Sequence, residues 1–245
     1  MPQVKNINSV IKRFSSNSKK ANHRYATYDF CYKYFYGNKY RLCENIEYSC
    51  WVLWGYLASW GMLRGSSALL QLSPAALVTL IEYLNKLGVE KDIIWEIDVP
   101  DYSNENKVTH ILEIYNCIAE KLKKQKVEPT VTLVTKIMMG VFGCIPAFDT
   151  MFTTAFKKIY TSKKVDKDIK CKFNKVNGQS LKSIYEFYES NKIEFDTIQI
   201  SLIDFSGNKT SYKYKIAKLV DMYGFCKGLE IAKLKKKAKE NKKNK

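Results

Sequence analysis

An apolar rhythm of about 3.6 residues recurs along this chain and leaves little room for a sheet-based fold. In "SPAALVTLIEYLNKLG", Ser73 can cap a helix, Pro74 suits its first position and Gly88 suits its stop. From Thr109, "THILEIYNCIAEKLKKQ" places Ile111, Ile114, Tyr115, Ile118 and Leu122 on one face, with charges opposite. Leu181, Ile184, Tyr185 and Tyr188 repeat the pattern, as do Ile216, Leu219, Val220 and Tyr223. Only "DIIWEIDV" and "FDTIQISLIDF" alternate as strands do. The sequence therefore predicts a mostly α, single-domain helical bundle. No Pro/Gly/Ser-rich linker divides it, and the basic region from Lys157 to Gly178 reads as a solvated loop between helices. The helical domain is placed at residues 1–228. Residues 229–245, "LEIAKLKKKAKENKKNK", read as a lysine-rich tail that continues the last helix and then frays.

With 46% hydrophobic residues in 245, the chain can bury a substantial core. Its 41 Lys and Arg against 24 Asp and Glu give a formal charge of +17, more asymmetry than solubility requires. That excess points to a polyanionic partner, with nucleic acid, DNA in particular, ahead of an anionic membrane surface. The longest apolar run, Cys50 to Leu63, is shorter than the ~20 residues a bilayer span needs and meets Arg64 at once. The first twenty residues hold no apolar signal-peptide segment, so a cytoplasmic location is expected. Seven cysteines without a C-x-x-C pair suit reduced, mostly buried thiols. Two histidines, His23 and His110, without ligand spacing argue against zinc and against a Ser-His-Asp triad, and no cofactor is implied.

Residues 133–152, "LVTKIMMGVFGCIPAFDTMF", are apolar except for Lys136 and Asp149. A helix starting near Thr130 would surround Lys136 with Val134, Ile137, Met138 and Met139. Lost hydration then lowers a lysine's pKa and makes its neutral, nucleophilic amine more available. Pro146 restarts the chain and puts Asp149 in the first turn of the next helix, where the helix dipole favours a carboxylate. The plain structural alternative is that Asp149 caps that helix while Lys136 snorkels to solvent.

A helix bearing Lys, a break, then Pro and an Asp opening the next helix resembles the catalytic half of the helix-hairpin-helix DNA glycosylase superfamily. The resemblance covers roughly residues 130–160. It implies a glycosylase-like helical fold and removal of a damaged or modified base, in repair or in defence against phage DNA. Lys136 would be the nucleophile at the sugar C1′ and Asp149 the stabiliser of the charge that develops there. In that family the hairpin glycines precede the lysine; here Gly140 and Gly143, the candidate phosphate-binding glycines, follow it. The stretches "LASWGMLRGSSALLQ" and "GVFGCIPAFD" also resemble those of an uncharacterised bacterial protein family, which carries no activity with it. The alternative function is a non-catalytic nucleic-acid-binding or defence-complex protein.

Two further constellations stand out. In "LASWGMLRGSSALLQ", Arg64 is the lone charge among small residues. The turn Arg64-Gly65-Ser66-Ser67 would either present guanidinium, hydroxyls and N–H groups to a phosphate or form a tight helix contact with Arg64 paired internally. Between His23 and Arg41 lie six tyrosines and two phenylalanines. Tyr25, Tyr28, Tyr32 and Phe35 share a helical face suited to the core. Tyr34, Tyr36 and Tyr40 fall off it and are candidates for stacking on unpaired or flipped bases.

Overall fold

The structure, a computed structural model, describes residues 4, 6–18, 20–65, 67–161 and 171–243. It is mostly helical: α1 (Ile7–Ser18), α2 (Thr27–Gly37), α3 (Ile46–Ser59), α4 (Val78–Val89), α5 (Glu105–Lys124), α6 (Val131–Phe142), α7 (Thr150–Tyr160), α8 (Gly178–Glu189), α9 (Lys192–Asp196) and α10 (Ile216–Lys243). A single hairpin, β1 (Ser201–Ile203) antiparallel to β2 (Lys209–Lys213), is the only sheet among the described residues. No helix among them is long and apolar enough to cross a membrane.

Helix α6 is the axis of the core. Thr130 caps it through a bond from Leu133 N–H to Oγ1, and Gly143 ends it in the left-handed conformation (φ 63°). Every residue from Leu133 to Phe142 is buried, because α2, α3 and α5 all pack on it. A helix enclosed in this way must be apolar all round, which is the physical reason for the long apolar stretch.

Helix α10 closes the core from the other side by lying along α7. A Cβ at Gly224 would stand 2.5 Å from the Phe152 ring, and one at Gly228 would stand 2.1 Å from the Met151 carbonyl oxygen. The absence of side chains at these two positions, one turn apart, allows the helices to touch backbone to ring and backbone to backbone. Asp98 starts α10 by accepting the N–H groups of Ile216 and Ala217 at 2.7 and 2.8 Å. The helix runs unbroken past Leu229 to Lys243.

Several sequence expectations change here. "DIIWEIDV" is not a strand but parts of two 3-10 turns, Ile93–Trp95 and Val99–Ser103. The side chains of Asp92 and Asp98 bond to the N–H groups of Ile94 and Val99, which offers the backbone a local alternative to a sheet ladder. In the second alternating stretch only Ser201–Ile203 is strand, and Phe195 and Asp196 end α9. Pro74 opens a 3-10 turn ahead of α4, with no side-chain bond from Ser73. Gly88 is inside α4 rather than beyond it, and a Cβ there would stand 1.5 Å from the Lys39 carbonyl oxygen. Lys157 to Tyr160 belong to α7, and residues 162–170 of the expected basic loop lie outside the described residues.

Candidate functional site

Lys136 and Asp149 meet. The break from Gly143 to Phe148 joins α6 to α7 and leaves Lys136 Nζ 3.9 Å from Asp149 Oδ2. The turn is held from both sides. Phe148 N–H donates to Thr135 Oγ1 at 2.9 Å, Thr132 Oγ1 donates to the Phe148 carbonyl at 3.0 Å, and the Tyr102 hydroxyl donates to the Cys144 carbonyl at 2.5 Å. Asp149 is the N-cap of α7, its Oδ1 accepting from Met151 and Phe152 N–H at 2.9 Å each. Lys136 does not snorkel. Its ammonium donates to the Trp60 carbonyl at 2.5 Å, and its side chain is 7% exposed, against 14% for Asp149.

A second pair from α10 completes the cluster. Lys218 Nζ lies 2.9 Å from Asp221 Oδ2, with the side chains 3% and 6% exposed, and between the rings of Tyr28 and Trp60 at 4.3 and 4.4 Å. Asp221 Oδ1 accepts the Ala147 N–H at 3.1 Å, so α10 reaches into the turn that positions Asp149. Two cations and two anions thus balance inside the core. Burial pushes the Lys136 pKa below the ordinary lysine value, against the upward pull of Asp149 and Asp221; Arg64 and Lys218 add to the depression. Burial likewise raises the Asp149 carboxyl, Asp221 raises it further, and Lys136 and the two capping N–H groups oppose the rise.

Chemically, this cluster fixes a turn more readily than it attacks a substrate. The Lys136 nitrogen is engaged by the Trp60 carbonyl and buried beside Asp149, and a sugar carbon would need the surrounding side chains to part before reaching it.

The remaining candidates are dispersed. Arg64 is exposed between two left-handed glycines, Gly61 (φ 78°) and Gly65 (φ 61°), and makes no ion pair among the described residues. Its guanidinium folds back over Gly61, where a Cβ would stand 3.0 Å from Nε. Ser67 is engaged within the turn, donating from Oγ to the Met62 carbonyl at 2.5 Å and from N–H to the Arg64 carbonyl. Ser66 lies outside the described residues.

Gly140 and Gly143 are corrected as phosphate ligands: both are buried, with no open surface for a DNA backbone. A Cβ at Gly140 would stand 2.5 Å from the Tyr56 ring, and one at Gly143 would stand 2.8 Å from the Tyr32 ring. Gly140 serves close packing, and Gly143 serves both that and the left-handed end of α6.

Of the three off-face tyrosines, Tyr40 is 54% exposed. Tyr34 is half-buried with its hydroxyl 2.7 Å from Ser49 Oγ, and the Tyr36 hydroxyl donates to Glu96. Those two are corrected as base-stacking residues, because neighbouring elements cover the faces that a lone helix would expose. Tyr28, Tyr32 and Phe35 are core, and Tyr25 is half-buried against Trp60.

Lys218, Asp221 and Lys215 were not singled out from the sequence. Lys218 and Asp221 sit in the apolar run Ile216 to Met222, the same signal that marked Lys136. Lys215 donates to the carbonyls of Trp95, Ile97 and Phe142 at 2.8, 3.1 and 3.0 Å, tying the C-terminus of α6 to the 3-10 turns.

A different surface carries the exposed charge. From Lys233 to Asn241 every side chain of α10 is exposed, and residues 229–243 hold seven lysines against two glutamates. Lys236 pairs with Glu240, whereas Lys233, Lys235, Lys237 and Lys239 make no ion pair among the described residues. Lys157 and Lys158 of α7 join Lys235 around a surface hollow of about 500 Å³ that Thr154, Thr161, Ile231 and Leu234 also line.

Comparison with protein-family models, with characterised proteins and with solved structures finds no match to this chain.

Proposed function

We propose that this protein binds nucleic acid through the lysine-rich end of α10 and the adjoining end of α7, without catalysis. The observation that carries this reading is the sorting of its cations. The buried ammonium groups of Lys136 and Lys218 are balanced by carboxylates, while α10 ends in a polar helix whose lysines are largely unneutralised. From Lys233 to Asn241 every side chain of this segment is exposed, and ammonium groups spread around a solvated helix suit a phosphate backbone. Binding to duplex DNA should weaken steeply with salt, the logarithm of the association constant falling by about 0.9 for each neutralised phosphate per unit of log salt. Fluorescence anisotropy on a labelled duplex over a sodium chloride series measures that slope; an affinity indifferent to salt would refute the reading.

One observation favours a second reading, base removal by attack at the sugar: the approach of Lys136 to Asp149, with the lysine pKa depressed by burial. That reading expects a borohydride-trapped covalent complex with DNA carrying a damaged or phage-type modified base, and loss of that complex in Lys136→Met. Under the binding reading no complex is trapped, and Lys136→Met acts on melting temperature alone.

A further inference from the structure

A slot of about 250 Å³ opens beside Gly55, where α2, α3 and the hairpin meet. Its walls are flat rings. Trp51 is 61% exposed and Phe205 is 80% exposed, and the Phe205 ring stacks on Phe30 at a centroid distance of 4.4 Å. Tyr48 stands at the rim, half open to solvent, and its hydroxyl makes no hydrogen bond among the described residues. Gly55 lies one turn after Trp51 and has no heavy atom within 4 Å of where a Cβ would be, so the face of α3 stays open there. No charged side chain lines the slot.

Leaving two large aromatic rings this exposed forgoes roughly 1.5–3 kcal/mol of burial for each, and clustered exposed rings mark binding surfaces. The size of the slot suits one planar ring system rather than a helix or a strand. Cations stand nearby: Lys33 is one turn from Phe30 on α2, and Lys209 is exposed at the start of β2, beside the hairpin tip that carries Phe205. Asp204, at the hairpin tip, is engaged by the N–H groups of Ser206 and Asn208.

We infer that this slot takes an unpaired nucleobase of a single strand, stacked on Trp51 and Phe205, while neighbouring lysines hold its phosphates. Among ligands complementary to a chain of charge +17, a nucleic-acid strand offers both the negative charge and the flat π-face that these walls match. The inference rests on the nucleic-acid-binding reading and adds to it a preference for single strands with bases.

The test compares the full-length protein with Trp51→Ala and Phe205→Ala on three probes: a twelve-nucleotide oligothymidylate, an abasic strand of equal length, and a duplex. Trp51→Ala should weaken oligothymidylate binding by about 5- to 150-fold, the equivalent of one base–aromatic stack. Abasic-strand and duplex binding, and the melting temperature, should stay unchanged. If both variants bind oligothymidylate as the wild type does while all three probes still bind, the stacking site is overturned and the basic-helix reading stands. If no probe binds at low salt, both fall. A wild-type protein that doubles its mass in light scattering, with Trp51→Ala monomeric and no change on any strand, would make the slot a self-association face and overturn the inference.

Discussion

Asp221→Ala is expected to lose about 3–5 kcal/mol of folding free energy, the cost of leaving a buried cation without its partner. Lys218 would then sit between the Tyr28 and Trp60 rings with no anion in contact. Lys136 would lose one of the two carboxylates that support its charge. The Ala147 N–H would also lose its acceptor, loosening the turn that sets Asp149 at the head of α7. Asp221→Asn keeps an oxygen for Ala147 and should lose less. The double change Lys218→Met with Asp221→Leu should cost clearly less than the two single losses combined, because no buried charge remains unbalanced. Denaturant midpoints for the wild type, Asp221→Ala, Asp221→Asn, the single changes Lys218→Met and Asp221→Leu, and the double variant check this; additive losses in the double variant would show that the two side chains do not act as a pair.

The second large effect is collapse in alkali. Burial raises the hydroxyl pKa values of Tyr28, Tyr56 and Tyr102 well above the ordinary tyrosine value, raises the thiol of Cys31 well above the ordinary cysteine value, and pushes the thiol of Cys144 up to about 12. The folded protein therefore keeps protons that the unfolded chain releases. That stabilisation is complete below the unfolded values, about 8.5 for Cys and about 10 for Tyr, and is lost as pH rises from there toward the folded values. By about pH 11 each such tyrosine has cost on the order of 1 kcal/mol and each thiol more, a combined loss of the same order as the whole stability of a domain. Lys136 and Lys215 work the other way, since their lowered pKa values mean that the folded state sheds protons first. Two lysines do not offset five acids. Circular dichroism from pH 8 to 11.5 should show cooperative unfolding between about pH 10 and 11; a fold retained at the upper end would contradict the buried-acid account.

Legibility in the sequence followed the range of the interactions. The helices α4, α5, α8 and α10 are visible because amphipathic spacing is local. The burial of Lys136 in α6 and the place of Asp149 at the head of α7 were also legible, because an apolar run and a restart at Pro146 are local signals, but their approach to 3.9 Å was not. What depends on neighbours distant in sequence was not legible. Tyr34 and Tyr36 fall off the core face of α2, yet Ser49 and Glu96 engage their hydroxyls. Gly140 and Gly88 look like ligand or turn glycines in one dimension and prove to be contact points for Tyr56 and the Lys39 carbonyl, while Gly143 is both the left-handed end of α6 and a contact point for Tyr32. Lys218 and Asp221 were readable by the rule applied to Lys136, a charge inside an apolar run, but their partnership with the turn at Ala147 appears only once α10 is folded against α7.

The most direct measurement of α10 as a phosphate-binding helix is the salt dependence of duplex binding in the full chain with Lys233, Lys235, Lys237 and Lys239 all changed to Gln. Wild type and variant should share the same melting temperature, because these side chains are exposed. The variant's log–log salt slope should be shallower by about 3–4, each lost contact removing about 0.9, with the largest loss of affinity at low salt. An unchanged slope and affinity in the quadruple variant would contradict the central claim and move the binding surface elsewhere.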